Sequence, residues 1–232
     1  MGPVEWRAPD RPSLAIAVAA RLSELLQAAL ASRPRAALVV PGGTTPGPVF
    51  DLLSQADLAW SRVDITLSDE RWLAPDQAGS NEHLLRERLL RNKAAAAHLV
   101  GLYRSVPAPS AARVAVEQAL AGLSHPFAAV LLGMGDDGHF ASLFPGRPET
   151  AAGLDPKGKA QAIALDAPVN GHPRISLSLA SLLNARHILV LFQGAEKHAV
   201  LEAAKAAGPA SAMPIRALLR QTTTPVEIHW AS

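Results

Sequence analysis

Hydrophobic and polar positions change their period many times along this chain, and each change predicts an element. Leu22, Leu25, Leu26 and Ala29 recur at i, i+3, i+4 and i+7, which predicts a helix capped by Ser13 and ended by Pro34. Ala36 to Val40 is then a continuous apolar run, the pattern of a strand covered on both faces. A helix over Val49 to Ser54 comes next, with Pro48 in its first turn, and then a strand over Val63 to Leu67. Ser80 predicts the cap of a helix through Leu90, His98 to Tyr103 reads as a strand, and Ser110 predicts the cap of a helix from Ala111 to Leu123. Phe127 to Leu132 is a buried strand. Arg147 to Lys159, rich in Gly, Pro and charge, reads as a surface excursion. Strands over Gln161 to Leu165, Ile175 to Leu179 and His187 to Phe192 follow, then a helix to Ala206, a short helix opened by Pro214, and a last strand, Val226 to Trp230.

Strands that alternate with helices in this way predict an α/β fold with a mostly parallel sheet and helices on both faces. No segment reads as a linker, so residues 1–232 are expected to form one domain.

Composition narrows the function without naming it. Of the 232 residues 49% are hydrophobic, enough for a sizeable core. Lys plus Arg number 22 and Asp plus Glu 20, a net charge of +2 that argues against nucleic acid or an anionic membrane as partner. There is no cysteine, which excludes disulfides, thiolate catalysis and Cys-type zinc sites. Glu5 and Asp10 interrupt the N-terminus, and no run approaches the ~18 apolar residues that span a bilayer. The expectation is a soluble, cytoplasmic protein.

Candidate chemistry gathers at strand ends, where open α/β sheets place their sites. Leu132-Gly133-Met134-Gly135-Asp136-Asp137-Gly138-His139 carries an imidazole at the end of a glycine-rich turn, with a carboxylate two residues before it. Histidine is the side chain suited to proton transfer near neutral pH. Gly42-Gly43-Thr44-Thr45 lies between a strand and a helix, where backbone N–H groups and hydroxyls can bind an anion; the ordinary alternative is a turn that needs glycine. It is neither a P-loop nor a dinucleotide fingerprint. Ser68-Asp69-Glu70-Arg71 follows a strand and offers a guanidinium for a phosphate or oxyanion, and a carboxylate to hold an imidazole; otherwise it is a solvated loop. Arg174 and Lys197 each place a cation beside a strand or helix start, with surface exposure as the default reading. No histidine pair has metal-ligand spacing, so no metal is expected.

Taken together, these motifs resemble the 6-phosphogluconolactonase family. The matching pieces are Pro41 to Pro46, Ser68 to Trp72 with Ser80-Asn81, Gly133 to Gly146, Arg174 to Leu177, Gly194 to Lys197 and Pro214 to Arg216, in the family's order. The resemblance implies a Rossmann-like fold and hydrolysis of a sugar-phosphate lactone without a cofactor. It implies that His139 is the base and that Asp69 and Arg71 share its pocket in the catalytic set. Asp137 either orients His139 or shapes the turn. By analogy with the related deaminases, Gly43, Thr44, Thr45, Arg174 and Lys197 hold the 6-phosphate.

Three other readings compete. Deaminases and isomerases of the same fold continue the His turn with an Asn-Glu pair, where this chain has Leu143 and Phe144. A sugar-phosphate sensor would need a helix-turn-helix unit, for which the segment before Ala36 is too short. A lapsed enzyme that only binds would have no use for a base.

Overall fold

The computed structural model describes residues 2–232 and begins with a strand that the hydrophobic pattern does not predict, β1 (Val4–Arg7). All its residues are exposed, so no buried face marks it in the sequence. It lies at a sheet edge and is tied down by Glu5, which accepts hydrogen bonds from Trp230 Nε1 (2.8 Å) and His198 Nε2 (2.9 Å). The helix α1 (Arg11–Ser32) buries Leu14, Val18, Leu22, Leu25 and Leu26. Ser13 is not its cap. Asp10 is, and its carboxylate accepts the Ser13 N–H at 2.7 Å, where negative charge also meets the positive helix end. The alanines of α1 make it, among the described residues, the one helix long and apolar enough to cross a membrane, a stretch the sequence pattern does not single out. Half of its most apolar stretch is buried within the protein.

The strands β2 (Ala36–Val40) and β3 (Val63–Leu67) flank the helix α2 (Gly47–Leu53) as expected. A short strand, β4 (Asp69–Arg71), leaves the end of β3. The helix α3 (Asn81–Arg88) is capped by Ser80, and β5 (His98–Val100) stops short of Tyr103. The helix α4 (Pro109–Ala121) starts one residue before Ser110. Pro109 supplies the preset backbone angle, and the Ser110 N–H goes to Asp166 Oδ1 at 3.0 Å. After β6 (Ala129–Gly133), the expected surface excursion contains a short helix, α5 (Pro148–Gly153). Next come β7 (Ala162–Val169), β8 (His172–Leu177) and α6 (Leu179–Leu183). Ser178 caps α6 and so takes Leu179 out of the preceding strand. The chain ends with β9 (Ile188–Gln193), α7 (Ala195–Lys205), α8 (Ile215–Arg220) and β10 (Val226–Ala231).

Seven strands form one parallel sheet in the order β1-β10-β9-β6-β2-β3-β5. β2 and β3 are buried along their whole length. β2 therefore reads as an unbroken apolar run, while β3 also buries Asp64, paired with Arg35, and Thr66, whose hydroxyl donates to the Val100 carbonyl at 2.7 Å. From β2 the chain builds outward through β3 and β5, then crosses back to β6 on the other side of β2. The reversal opens a crevice beyond the C-terminal ends of β2 and β6. A second, antiparallel sheet in the order β4-β8-β7 stands beside it. Its hairpin turns at Asn170 (φ 50°) and Gly171 (φ 88°), the residue pair most suited to a tight two-residue turn. The β4–β8 register sets Asp69 opposite Ser176 and Arg71 opposite Arg174.

Far from the crevice, β10 presents Glu227 to Arg21 of α1 (2.7 Å), with His229 and His187 at 3.3 and 3.2 Å. Burial pushes this carboxyl up, but hydrogen bonds from His229 and Arg21 outweigh it and bring the pKa from 4.5 to about 2. On acidification the unfolded chain therefore takes up its proton first. The group's stabilisation is full above pH 4.5 and is lost as pH falls towards 2. Glu227→Gln is expected to lower the unfolding free energy at pH 7 by about 1–2 kcal/mol after solvent screening, with the deficit closing at low pH. Urea titrations across that range would measure it, and a deficit independent of pH would refute the charge pairing.

Candidate active site

The crevice holds a cavity of about 340 Å³, and its walls come from both sheets and the start of one helix. The turn after β2 contributes Gly42 to Thr45, β4 contributes Asp69 and Arg71, and β8 contributes Arg174. The turn after β6 contributes Met134, Asp136 and His139, while Lys197 reaches in from the first turn of α7. Residues dispersed over the chain thus meet because the parallel strands β2 and β6 deliver their C-terminal ends to one side of the main sheet, where the antiparallel β4–β8 pair adds Asp69, Arg71 and Arg174.

His139 and Asp137 form a close pair. Asp137 Oδ1 lies 2.5 Å from His139 Nδ1 and also accepts the His139 backbone N–H at 3.0 Å. Burial pushes the Asp137 carboxyl up, but these two hydrogen bonds hold it below the usual carboxylate range. An ionised carboxylate only accepts, so the neutral imidazole carries its proton on Nδ1 and leaves Nε2 as an acceptor. Nε2 has no hydrogen-bond partner among the described residues. The imidazole lies over Gly135, where a Cβ would come within 2.1 Å of the ring. The glycine of this turn thus makes room for the imidazole itself.

Asp69 does not hold an imidazole. It is buried, and its carboxylate accepts Ser68 Oγ (2.9 Å) and Ser142 Oγ (2.6 Å), with Arg174 Nη1 at 3.8 Å. Asp137, two residues from the histidine, occupies the place that Asp69 would need. Arg174 is buried as well, contrary to the default for a lone arginine. Its guanidinium sits 5.4 Å above the Phe144 ring. Arg71 donates to the Gly79 carbonyl (2.9 Å). Lys197 Nζ donates to the Met134 carbonyl (2.8 Å) and stands 3.6 Å from Asp136.

Two further residues shape the cavity; both lie in the motifs named above, but the sequence assigns neither a role. Asn81 lines it and donates Nδ2 to the Asp69 carbonyl at 2.9 Å. Its carboxamide fills the space where Gly42 has no side chain, since a Cβ there would lie 1.9 Å from Asn81 Oδ1. Glu70, fully buried behind Asp69, accepts the N–H groups of Arg71 (2.8 Å), Asn81 (2.7 Å) and Glu82 (2.7 Å) and the Ser80 hydroxyl (3.1 Å). Burial pushes its carboxyl up to about 7. A charged residue inside Ser68-Asp69-Glu70-Arg71 looks solvated in sequence; the one local signal is the Ser80 cap, whose helix start needs an acceptor.

Fold and site define a Rossmann-like α/β protein with a cationic, small-molecule cavity at the switch point of its sheet. Comparison with known proteins makes the class specific. Residues 9–230 match the family described as glucosamine-6-phosphate isomerases/6-phosphogluconolactonase. The chain is 40% identical over 223 residues to a 6-phosphogluconolactonase of Rhizobium meliloti (strain 1021), covering 96% of each. It is 41% identical over 221 residues to one of Pseudomonas putida, covering 95% of this chain and 90% of the relative. The crystal structure of a 6-phosphogluconolactonase from Shewanella baltica OS155 superposes with a TM-score of 0.95 at 38% identity, over 99% of this chain and 98% of that one. The chain belongs to the glucosamine-6-phosphate isomerase/6-phosphogluconolactonase family.

Proposed function

We propose that this protein hydrolyses 6-phospho-D-glucono-1,5-lactone to 6-phospho-D-gluconate, a step of the oxidative pentose phosphate pathway, with His139 as general base. The observation that carries the mechanism is the Asp137–His139 pair, whose free Nε2 belongs to a ring lining a cavity with three cations, Arg71, Arg174 and Lys197. The relatives named above carry the choice of substrate.

In this reading His139 Nε2 takes a proton from water as the water oxygen attacks C1 of the lactone. The carbonyl electrons move onto the exocyclic oxygen, which Arg71 or a backbone N–H of the glycine turn stabilises. When the tetrahedral intermediate collapses, the bond from C1 to the ring oxygen breaks, and the imidazolium returns its proton to that oxygen. The new carboxylic acid loses its own proton to solvent. A lactone is an activated ester, so no covalent nucleophile is needed. Asp137 keeps the proton of the resting imidazole on Nδ1 and balances the charge of the imidazolium. Lys197, Arg174 and the Gly43-Thr44-Thr45 turn hold the 6-phosphate and fix C1 beside the base.

Freshly generated lactone should disappear faster with the protein than by itself, with 6-phosphogluconate as the product. No acceleration over the spontaneous rate would refute the assignment. Lys197→Ala is expected to weaken 6-phosphogluconate binding about 10–50-fold and gluconate binding less than about threefold, because only the first ligand carries the group that a charge-assisted hydrogen bond would hold. Calorimetry with both ligands would measure this, and equal losses would remove Lys197 from the phosphate site.

A further inference from the structure

Phe144 touches both of the groups the mechanism needs most, yet it has no polar atom and no assigned role. Its ring centroid lies 4.3 Å from that of the His139 imidazole, the two planes tilted by 40°. The Arg174 guanidinium carbon lies 5.4 Å from the same ring centroid. The ring is only 6% exposed. Local backbone brings it there. Ala141 takes a left-handed φ of 49°, and the Leu143 N–H returns to the Phe140 carbonyl at 3.1 Å. The chain thus doubles back and lays residue 144 against residue 139.

We propose that Phe144 is a positioning residue for lactone hydrolysis, its aromatic face holding the His139 ring and the Arg174 guanidinium in fixed relation to each other. The inference rests on the reading of His139 as base. Asp137 restrains one edge of the imidazole through Nδ1, but a single hydrogen bond leaves the ring free to swing about it. A flat side chain packed against the imidazole removes that freedom and excludes water from the covered side. The face of an aromatic ring is also its negative side and attracts cations. It favours the guanidinium at all times and the imidazolium at the moment the base has taken its proton. An aliphatic side chain of similar volume would fill the space and supply neither effect.

The test separates the aromatic face from mere volume. Phe144→Met keeps the bulk and loses the face; Phe144→Tyr and Phe144→Trp keep the face. With Tm measured for each variant, Phe144→Met is expected to lose at least about tenfold in kcat through the His139 ring, with a smaller rise in KM through Arg174 at the phosphate. At least one of the Tyr and Trp variants should recover to within about threefold of wild-type kcat. Wild-type turnover by a folded Phe144→Met enzyme would overturn the proposal. So would Tyr and Trp variants both as slow as Met, or a loss confined to KM. His139→Ala is run beside them. If it retains wild-type turnover, the base assignment falls and this inference with it; a slow His139→Ala enzyme next to a full-speed Phe144→Met enzyme overturns the inference alone.

Discussion

His139→Ala is expected to lower kcat by about 10²–10⁴-fold while 6-phosphogluconate binds within about threefold of its wild-type affinity. The reasoning is geometric. The imidazole is assigned to the reacting end of the ligand, and the cations that would hold the phosphate, Arg174 and Lys197, reach the cavity from β8 and α7, not from the His139 turn. Its removal also leaves Asp137 able to face solvent, since that carboxylate is half-exposed. Single-turnover hydrolysis with calorimetry on the same preparation would measure both quantities. A variant with normal turnover would move the base elsewhere, and one that loses ligand affinity in step with turnover would make His139 a binding group.

Glu70→Ala should be the most damaging change outside the cavity. Its carboxylate gathers three backbone N–H groups and one hydroxyl from two separate segments, the end of β4 and the start of α3. Removal leaves those donors buried without partners, and each such loss costs about 1–3 kcal/mol, so a deficit of about 3–5 kcal/mol is expected. The start of α3 would then detach from β4 and take Asn81 away from Gly42 and from the Asp69 carbonyl. A fall of more than about tenfold in kcat/KM should accompany the lost stability, because the cavity wall moves with the helix. The deficit should depend on pH. Burial, aided by the charge of Asp69, raises the Glu70 carboxyl from 4.5 to about 7 against the pull of the Asn81 and Glu82 N–H groups. Between those values the folded protein keeps a proton that the unfolded chain has released, so the group's contribution is full below pH 4.5 and declines as pH rises through 7. The gap between wild type and variant should therefore be wider near pH 5 than near pH 8. Denaturant titrations at both would decide it, and an unchanged midpoint at both would refute the structural role.

The parts of the site that were legible in the sequence are those whose partners are close along the chain. Asp137 and His139 are two residues apart, and the glycine turn that joins them carries its own signature. The turn from Gly42 to Thr45 joins two elements whose periodicity is clear. Cap positions were less secure. Ser13 and Ser110 have suitable side chains, but Asp10 and Pro109 start those helices, because several adjacent residues can each begin a helix and packing selects among them. Asp69 lines the cavity, as its position after β3 suggests, but its partners are not an imidazole. Ser142 and Arg174, both distant in sequence, claim its carboxylate once β4 pairs with β8.

Alone, then, the sequence determined the alternation of strands and helices, the parallel sheet and the histidine turn, since periodicity and turn chemistry are local and report burial directly. Tertiary structure decided what depends on distant segments meeting. β1 has no buried face and exists because residues near the C-terminus accept it. Arg174 is drawn into the buried wall of the cavity by a strand pairing that no local pattern encodes, although Asn170-Gly171 marks the turn that makes it. Glu70 reads as a surface charge until two segments close over it and supply the donors that a buried carboxylate requires.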